Sequence, residues 1–419
     1  MLTPINMEYG SQLLFLLTIA YISQAILFTS DSVVYNVKAG LLGVVLVFIA
    51  QSSLRPYKTP FSRVRDRWCR VGARLGLLYI GILVFILFQK SEDARLLPKF
   101  IEPSYGKELA MRSENYDRNC ELSYDNVSKI IDFYVLVHFF NWLLASFIIR
   151  DYYILHIWSI LDELIELSLK NIRPNFSECW WDSLILDVIL ANTLGIYVGM
   201  TIIKWIRSMK YDWLGRDGAK SIKEWKVWTN HRYFQGTFCL MIFVSVNFVT
   251  GFTVSNSLWI PPSSNLNIVR LVIWFIIGAL GFREAYDDMR TWGTPFRAEK
   301  QIYAQYRWTA WMMQCCEILL SWKFRKNAGN RLDETVPLHV IFIWTFCIGG
   351  CLMYWVYLRF FYKLRLYKDG RYMDLSMEKL RLEGLKAQEN KGEVKAQGKE
   401  SKKTKAKASE SNKKNKKIN

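Results

Sequence analysis

The chain has 419 residues, of which 51% are hydrophobic and 15% aromatic, and it carries a formal net charge of +18. Its apolar residues form runs of roughly 20, the helix length that crosses about 30 Å of hydrocarbon. Such runs exclude an ordinary soluble globular protein, and they lack the alternation of membrane β-strands. The sequence therefore predicts an all-α fold, a polytopic integral membrane helical bundle.

We predict about ten transmembrane helices, which would form a membrane domain over residues 1–369. Their positions in chain order are 12–29, 37–52, 74–90, 131–149, 152–169, 180–203, 234–258, 268–284, 306–322 and 337–361.

The basic residues predict the orientation, since Lys and Arg concentrate in cytosolic loops close to membrane spans. Segments 53–73, 204–232 and 285–307 are basic, and ten spans would place all three on one side. Both termini would lie on that side too, so we expect them to be cytosolic.

Residues 370–419 are predicted to be a basic, disordered cytosolic tail. Its last 34 residues, 386–419, hold twelve lysines and no aromatic residue. Nucleic-acid binding would require stacking aromatic residues or a reader fold, so we predict no nucleic-acid partner. The tail ends in Lys416-Lys417-Ile418-Asn419, which matches a dilysine retrieval signal and predicts the endoplasmic-reticulum membrane.

The cysteines give no indication of a metal site. No Cys-x-x-Cys pair occurs among the eight cysteines, so the sequence predicts neither a zinc site nor a disulfide framework.

Ionisable groups are concentrated in and between the fourth to sixth predicted spans. Inside a span each costs several kcal/mol, so these residues are candidates for function. The topology places most of them toward the lumenal boundary. They are His138, Asp162, Glu163, Glu166, Glu178, Asp182 and Asp187, and the polar Asn192 lies in the same stretch.

Four of these carboxylates predict a cation site. Glu163 and Glu166 are three residues apart and share a helix face, and Glu178 and Asp182 do so if the sixth helix begins near Pro174. Four carboxylates at one boundary repel unless a cation holds them. Oxygen ligands suit Ca²⁺, Mg²⁺ or Mn²⁺, and a lumenal position favours Ca²⁺.

Asp187 lies five residues beyond Asp182, about 140° away on an ideal α-helix. Two explanations stay open: Asp187 orients the His138 imidazole, or the helix is distorted. His138 itself is the predicted general base and acid, since imidazole titrates near neutrality.

A family resemblance rests on the same residues. The sequence contains Leu136-Val137-His138-Phe139-Phe140-Asn141-Trp142, Glu163-Leu164-Ile165-Glu166, Pro174-Asn175-Phe176-Ser177-Glu178-Cys179-Trp180-Trp181-Asp182, and Asp187 through Asn192. Over residues 30 to 360 the chain resembles the eukaryotic base-exchange phosphatidylserine synthases. The resemblance implies Ca²⁺-dependent, ATP-independent replacement of the choline or ethanolamine of a phospholipid by L-serine.

The resemblance also implies residue roles. Asn175 and Asn192 would bind substrate, beside His138, Asp187 and the four carboxylates. Arg63 and Arg283 match regulatory positions through which the product restrains the enzyme. The chain departs from the family at Arg65, where a His is expected, and at Ser245, where a Glu is expected.

Two questions stay open, and two rival functions are weighed against this interpretation. The donor head group and a homodimer are left open. A transporter could use the acidic cluster as a cation site, although the cluster occurs once rather than in both halves. A CDP-alcohol phosphotransferase requires D-G-x-x-A-R, and Asp217-Gly218-Ala219-Lys220 lacks the rest of that signature.

Overall fold

The structure is a computed structural model that describes residues 4–53, 63–105, 119–130, 133–170, 176, 178–208, 210–261, 264–292, 305–324 and 336–362. All regular elements in these ranges are helical, with no β-strand among them. The predicted all-α class is therefore confirmed. The predicted tail at 370–419, with its dilysine signal, lies outside the described residues.

Ten long helices correspond one for one to the ten predicted spans. They are α1 (Pro4–Leu27), α2 (Val33–Ser53), α3 (Arg63–Leu87), α4 (Phe133–Ile149), α5 (Tyr152–Leu169), α6 (a π-helical stretch, Asp182–Asn192, continued as Thr193–Trp205), α7 (His231–Ser257), α8 (Asn265–Thr291), α9 (Gln305–Lys323) and α10 (Leu338–Val356, continued by a π turn, Tyr357–Phe361). Shorter helices are Ser91–Leu96, Leu97–Phe100, Tyr124–Ile130, Ile222–Glu224 and Lys226–Thr229.

Five of the long helices, α2, α6, α7, α8 and α10, are long and apolar enough to cross a membrane. The chain is thus a multi-pass membrane protein, while the number ten and the cytosolic termini stay predictions. The polar residues of α5 and α9 lower the apolar character of those helices: α5 alone carries three acidic side chains. The acidic side chains of the candidate site therefore lower the mean hydropathy of the helix that carries them.

The chain forms two compact units, Met1–Cys351 and Leu352–Asn419. Everything described below lies in the first unit.

Helices α4 and α5 form a tight hairpin whose turn is fixed at Arg150 and Asp151. Arg150 adopts a positive φ of 55°, and Asp151 caps α5 by accepting hydrogen bonds from two N–H groups of its first turn. The loop after α6 holds this turn: Trp213 Nε1 donates to the carbonyl of Ile149 at 2.7 Å, and Arg216 pairs with Asp151. Burial raises the pKa of the Asp151 carboxyl, and the adjacent Arg216 opposes that shift.

Helix α6 packs against α4 at very close range because glycines face the contact. A Cβ at Gly195 would lie 2.4 Å from the carbonyl oxygen of Phe139, and one at Gly199 would lie 2.7 Å from Ser146 Cβ. Small residues that let backbones approach are the usual device of helix packing in membranes. This contact fixes α6 relative to the face of α4 that carries His138.

Helices α3, α7, α8 and α9 pack around a buried ion pair. Arg270 donates to both carboxylate oxygens of Glu317, at 2.8 and 2.6 Å. Tyr79, Trp274 and Thr250 donate to the same carboxylate at 2.7, 2.9 and 2.8 Å. These five side chains are called the Arg270–Glu317 network below.

Candidate active site

The ionisable residues of α4, α5 and α6 meet at one end of these helices. Consecutive helices run in opposite directions, so the first half of α4, the second half of α5 and the first half of α6 lie at the same depth. The structure brings two overlapping groups together there, which we call the acidic site: Glu163, Glu166 and Glu178, and His138, Glu163 and Asp187.

The first group consists of carboxylates alone. One oxygen each from Glu163, Glu166 and Glu178 lie within 4.8 Å of one another. Glu163 and Glu166 reach the group from one face of α5, as their spacing predicts. Glu166 is buried, and the other two side chains are partly buried.

The second group joins the imidazole to two carboxylates. His138, Glu163 and Asp187 each offer one atom within the same 4.8 Å limit. Asp187 Oδ1 lies 3.7 Å from His138 Nδ1, so the carboxylate faces that ring nitrogen. Glu163 belongs to both groups and links the imidazole to the carboxylate cluster.

The π-helical stretch of α6 explains how Asp187 reaches His138. In a π-helix the backbone bonds run from i to i+5, which widens the turn. Residues five apart, such as Asp182, Asp187 and Asn192, then come much closer to one face than the 140° of an α-helix would allow. Both explanations left open by the sequence hold: the helix is distorted, and Asp187 faces the imidazole.

The predicted pairing of Glu178 with Asp182 on one helix face is wrong. The helix begins at Trp180, so Glu178 lies in the segment that precedes it. Glu178 instead accepts a hydrogen bond from Ser183 Oγ at 3.4 Å. Asp182 is buried, but among the described residues its carboxylate belongs to neither group. Its role as a cation ligand stays a prediction.

Asn192 touches the acidic site from the far end of the π-helical stretch. Its Nδ2 donates to Glu163 Oε1 at 3.4 Å and to Ser159 Oγ at 3.0 Å. Ser159 was not among the predicted site residues. The available signal was its position four residues before Glu163, on the same face of α5. Asn175, the other predicted substrate residue, lies outside the described residues.

The predicted regulatory residues lie elsewhere. Arg283 stacks its guanidinium over the rings of Tyr211, Trp213 and Tyr286 at 5.0, 5.0 and 5.4 Å. We call these three rings the aromatic box. Trp213 also contacts the last residue of α4, so the aromatic box lies at the end of α4 opposite to His138. Arg63 is the first residue of α3, and its side chain lies outside the described residues.

A disulfide borders the acidic site, which corrects the prediction that the cysteines form no such framework. Cys120 and Cys179 are bonded, at a sequence separation of 59. Cysteine spacing could not reveal this pair, because the partner of Cys179 lies two spans earlier in the chain.

The side chains of the acidic site fit a divalent cation. Glu163 Oε2 is buried and has no hydrogen-bond partner among the described residues. Carboxylates gathered within 4.8 Å of one another repel strongly without a counter-charge. The ligands are oxygens, which hard cations such as Ca²⁺ prefer.

Comparison with known proteins identifies the family. A model described as phosphatidyl serine synthase matches residues 66–325, which include every residue from His138 to Asn192. The chain belongs to this family. Phosphatidylserine synthase 2 of Rattus norvegicus is 31% identical over 374 residues, which cover 82% of this chain and 76% of the relative. The Homo sapiens protein of that name is 30% identical over 375 residues, covering 82% and 74%.

A plant relative bears a different name. CDP-diacylglycerol–serine O-phosphatidyltransferase 1 of Arabidopsis thaliana is 29% identical over 345 residues, covering 75% of this chain and 78% of the relative. Membership of the phosphatidyl serine synthase family makes the protein a transferase acting on phosphorus-containing groups, with phospholipid and serine as its substrate classes. It favours an enzyme over a transporter.

Proposed function

We propose that the protein makes phosphatidylserine by base exchange, replacing the choline or ethanolamine of an existing phospholipid with L-serine at a Ca²⁺-bound acidic site. The observation that carries the proposal is the sharing of Glu163 between a carboxylate cluster and a His138–Asp187 pair. A cation and a proton carrier would therefore act on the same phosphate.

The exchange is balanced without any nucleotide. The serine hydroxyl oxygen forms a bond to phosphorus, and the bond between phosphorus and the choline or ethanolamine oxygen breaks. The proton of the serine hydroxyl ends on the departing alcohol. One P–O bond and one O–H bond form while one of each breaks, so neither ATP nor CTP is consumed.

His138 carries that proton in our proposal. Asp187 faces Nδ1 at 3.7 Å, which orients the ring and assigns proton transfer to Nε2. The imidazole takes the proton from serine as general base and returns it to the leaving alcohol as general acid. The reverse exchange uses the same two steps.

Glu163, Glu166 and Glu178 would hold the cation, with Asp182 as a further predicted ligand. When bound, Ca²⁺ supplies positive charge to the phosphate oxygens and stabilises the negative charge that develops there. Asn192 keeps Glu163 in place through its hydrogen bond.

A covalent route is the alternative within the same chemistry. His138 would attack phosphorus itself, and a phosphatidyl-enzyme intermediate would then react with serine. Ping-pong kinetics and isolation of labelled enzyme would favour this route, and their absence favours direct displacement.

The donor is a separate question, because the names of the plant relatives refer to CDP-diacylglycerol. The Asp217-Gly218 segment of this chain lies in the loop between α6 and α7 rather than on a helix. Microsomes that contain the protein, labelled L-serine and Ca²⁺ but no CTP should incorporate the label into phosphatidylserine, and EGTA should abolish it. Incorporation that requires added CDP-diacylglycerol would overturn base exchange. Supplying phosphatidylcholine or phosphatidylethanolamine separately then identifies the donor.

We further propose that the acidic site faces the lumen of the endoplasmic reticulum. The Cys120–Cys179 bond supports this orientation, since disulfides persist in oxidising compartments rather than in the cytosol. The basic segments between the spans on the other side support it as well.

Product regulation is assigned to Arg63 and Arg283. The aromatic box holds Arg283 away from the acidic site, and Asp287 lies 3.4 Å from its guanidinium. Replacement Arg283→Gln should leave exchange intact while added phosphatidylserine no longer inhibits it. Wild-type inhibition in that variant would remove Arg283 from regulation.

A further inference from the structure

The Cys120–Cys179 disulfide is attached to the segment that supplies Glu178. Cys179 is fully buried, in a small cluster with Trp181 and Leu186. Val127, from the short helix that follows Cys120, packs against the same cluster. The bond thus ties the chain that precedes α4 to the residue directly after Glu178.

Cys179 also starts the helix that carries the other acidic residues of α6. Its carbonyl oxygen accepts hydrogen bonds from the N–H groups of Asp182 and Ser183, at 2.9 and 3.2 Å. Ser183 in turn donates to the Glu178 carboxylate. One covalently held residue therefore positions both Glu178 and the first turn of the π-helical stretch.

The loop closed by the bond spans 59 residues and contains His138, Glu163 and Glu166. Of the three clustered carboxylates, Glu163 and Glu166 lie on helix α5, whereas Glu178 lies outside a helix. Repulsion among the three carboxylates would push the least constrained one away. Because Glu178 is not on a helix, its position depends on how its backbone is anchored.

We propose that the Cys120–Cys179 disulfide is the anchor that holds Glu178 in cation-binding position. Both cysteines are positioning residues and touch neither substrate nor cation. The inference rests on the proposed function, because it assigns the bond a role toward the Ca²⁺ site of that proposal.

The expected effect is on cation affinity rather than on the reaction itself. Partners that orient a metal ligand typically change affinity roughly 10- to 100-fold when they are removed. Breaking the bond should therefore raise the Ca²⁺ concentration for half-saturation by that factor. At saturating Ca²⁺ the maximal exchange rate should return to near the wild-type value, since His138 and Asp187 are unchanged.

The test uses full-length protein in nanodiscs, with Cys120→Ser/Cys179→Ser compared against Cys347→Ser. Cys347 is an exposed free cysteine of α10 and serves as the matched control. Ca²⁺ alone is titrated while the apparent melting temperature is recorded, so binding is read without activity. Exchange is then measured over the same Ca²⁺ range, and peptide mapping without reductant reports the Cys120–Cys179 linkage.

A shifted half-saturation in the double variant, with Cys347→Ser unchanged, supports the inference. A wild-type half-saturation in the double variant overturns it, as does peptide mapping that finds both thiols unpaired. Should the double variant fail to insert, wild-type protein reduced by a phosphine after purification must show the same shift. Wild-type protein that exchanges serine but never responds to Ca²⁺ overturns the Ca²⁺ site and this inference together. If the wild type responds to Ca²⁺ and the double variant has the same half-saturation, this inference alone is overturned and the proposed function stands.

Discussion

Two clusters of charged side chains in this protein differ in how the charge of their carboxylates is balanced. In the Arg270–Glu317 network one carboxylate receives a bidentate guanidinium and three further donors. In the acidic site four carboxylates and an imidazole meet, and Glu163 Oε2 has no donor among the described residues. In the first cluster a guanidinium balances the charge of the carboxylate. In our proposal a bound cation supplies that balance in the second.

This difference in charge balance suggests a structural role for the Glu317 carboxylate and a functional role for the carboxylates of the acidic site. A buried ion pair that satisfies all its atoms holds helices together but offers nothing to a ligand. A cluster whose charges do not cancel destabilises the protein until a partner binds, and such sites are typical of function. In our proposal the acidic site therefore binds the cation and reacts, whereas the Arg270–Glu317 network joins α3, α7, α8 and α9.

The largest expected effect comes from removing the imidazole. His138→Ala should lower exchange by about 10³-fold or more, because general acid–base transfer contributes roughly 10²–10⁴. Insertion and thermal stability should stay near wild type. Serine incorporation in microsomes measures the loss.

His156→Ala is the matched control, since it removes another imidazole from a neighbouring helix, α5. Its Nε2 is buried and has no hydrogen-bond partner in the part of the chain that the structure describes. That variant should retain exchange. Full activity in His138→Ala would end the proposed proton transfer.

The next effect is on stability. Glu317→Gln leaves Arg270 buried without a counter-charge, which typically costs about 3–5 kcal/mol. The apparent melting temperature should fall strongly, and Ca²⁺ should not restore it. The double replacement Arg270→Met/Glu317→Leu should recover most of the loss, because it removes both charges. A destabilised double variant would mean that the network contributes more than charge balance.

The sequence predicted the helices and most of the acidic site well because both leave local signals. Apolar runs mark the helices, and the i,i+3 spacing of Glu163 and Glu166 marks a shared face. Three features were beyond it. The first is the π-helical stretch that brings Asp187 to His138, because residue spacing assumes an ideal α-helix and gives no sign of a widened turn.

The other two features are long-range pairings. Cys120 and Cys179 lie far apart in the chain, as do Arg270 and Glu317, and a single sequence contains no record of which residues meet. Arg270, near the start of the eighth predicted span, and Glu317, the one acidic residue of the ninth, were the only available signal for the Arg270–Glu317 network.

A smaller effect is expected within the acidic site, with a sign opposite to that in the network. Glu166→Gln removes one of three mutually repelling carboxylates, so in EGTA it should stabilise the protein by about 1–3 kcal/mol, as like charges 5 Å apart imply at an effective dielectric constant near 20. Stabilisation by Ca²⁺ should be lost in the same variant. Glu102→Gln, at an exposed position, should change neither quantity. Lower stability in EGTA would show that Glu166 is already paired.

The smallest expected effect compares single hydroxyl groups in the two clusters. Thr250→Val removes one donor to Glu317 and should cost about 1–2 kcal/mol whether or not Ca²⁺ is present, since the remaining donors keep the carboxylate satisfied. Ser159→Ala removes the hydroxyl oxygen that accepts a hydrogen bond from Asn192. The Asn192 amide then donates to Glu163 alone. Its cost should therefore depend on Ca²⁺, because Glu163 changes partners when the cation binds. Melting temperatures of both variants, recorded in Ca²⁺ and in EGTA, measure this dependence. Equal dependence on Ca²⁺ in both variants would mean that the two clusters are coupled rather than separate.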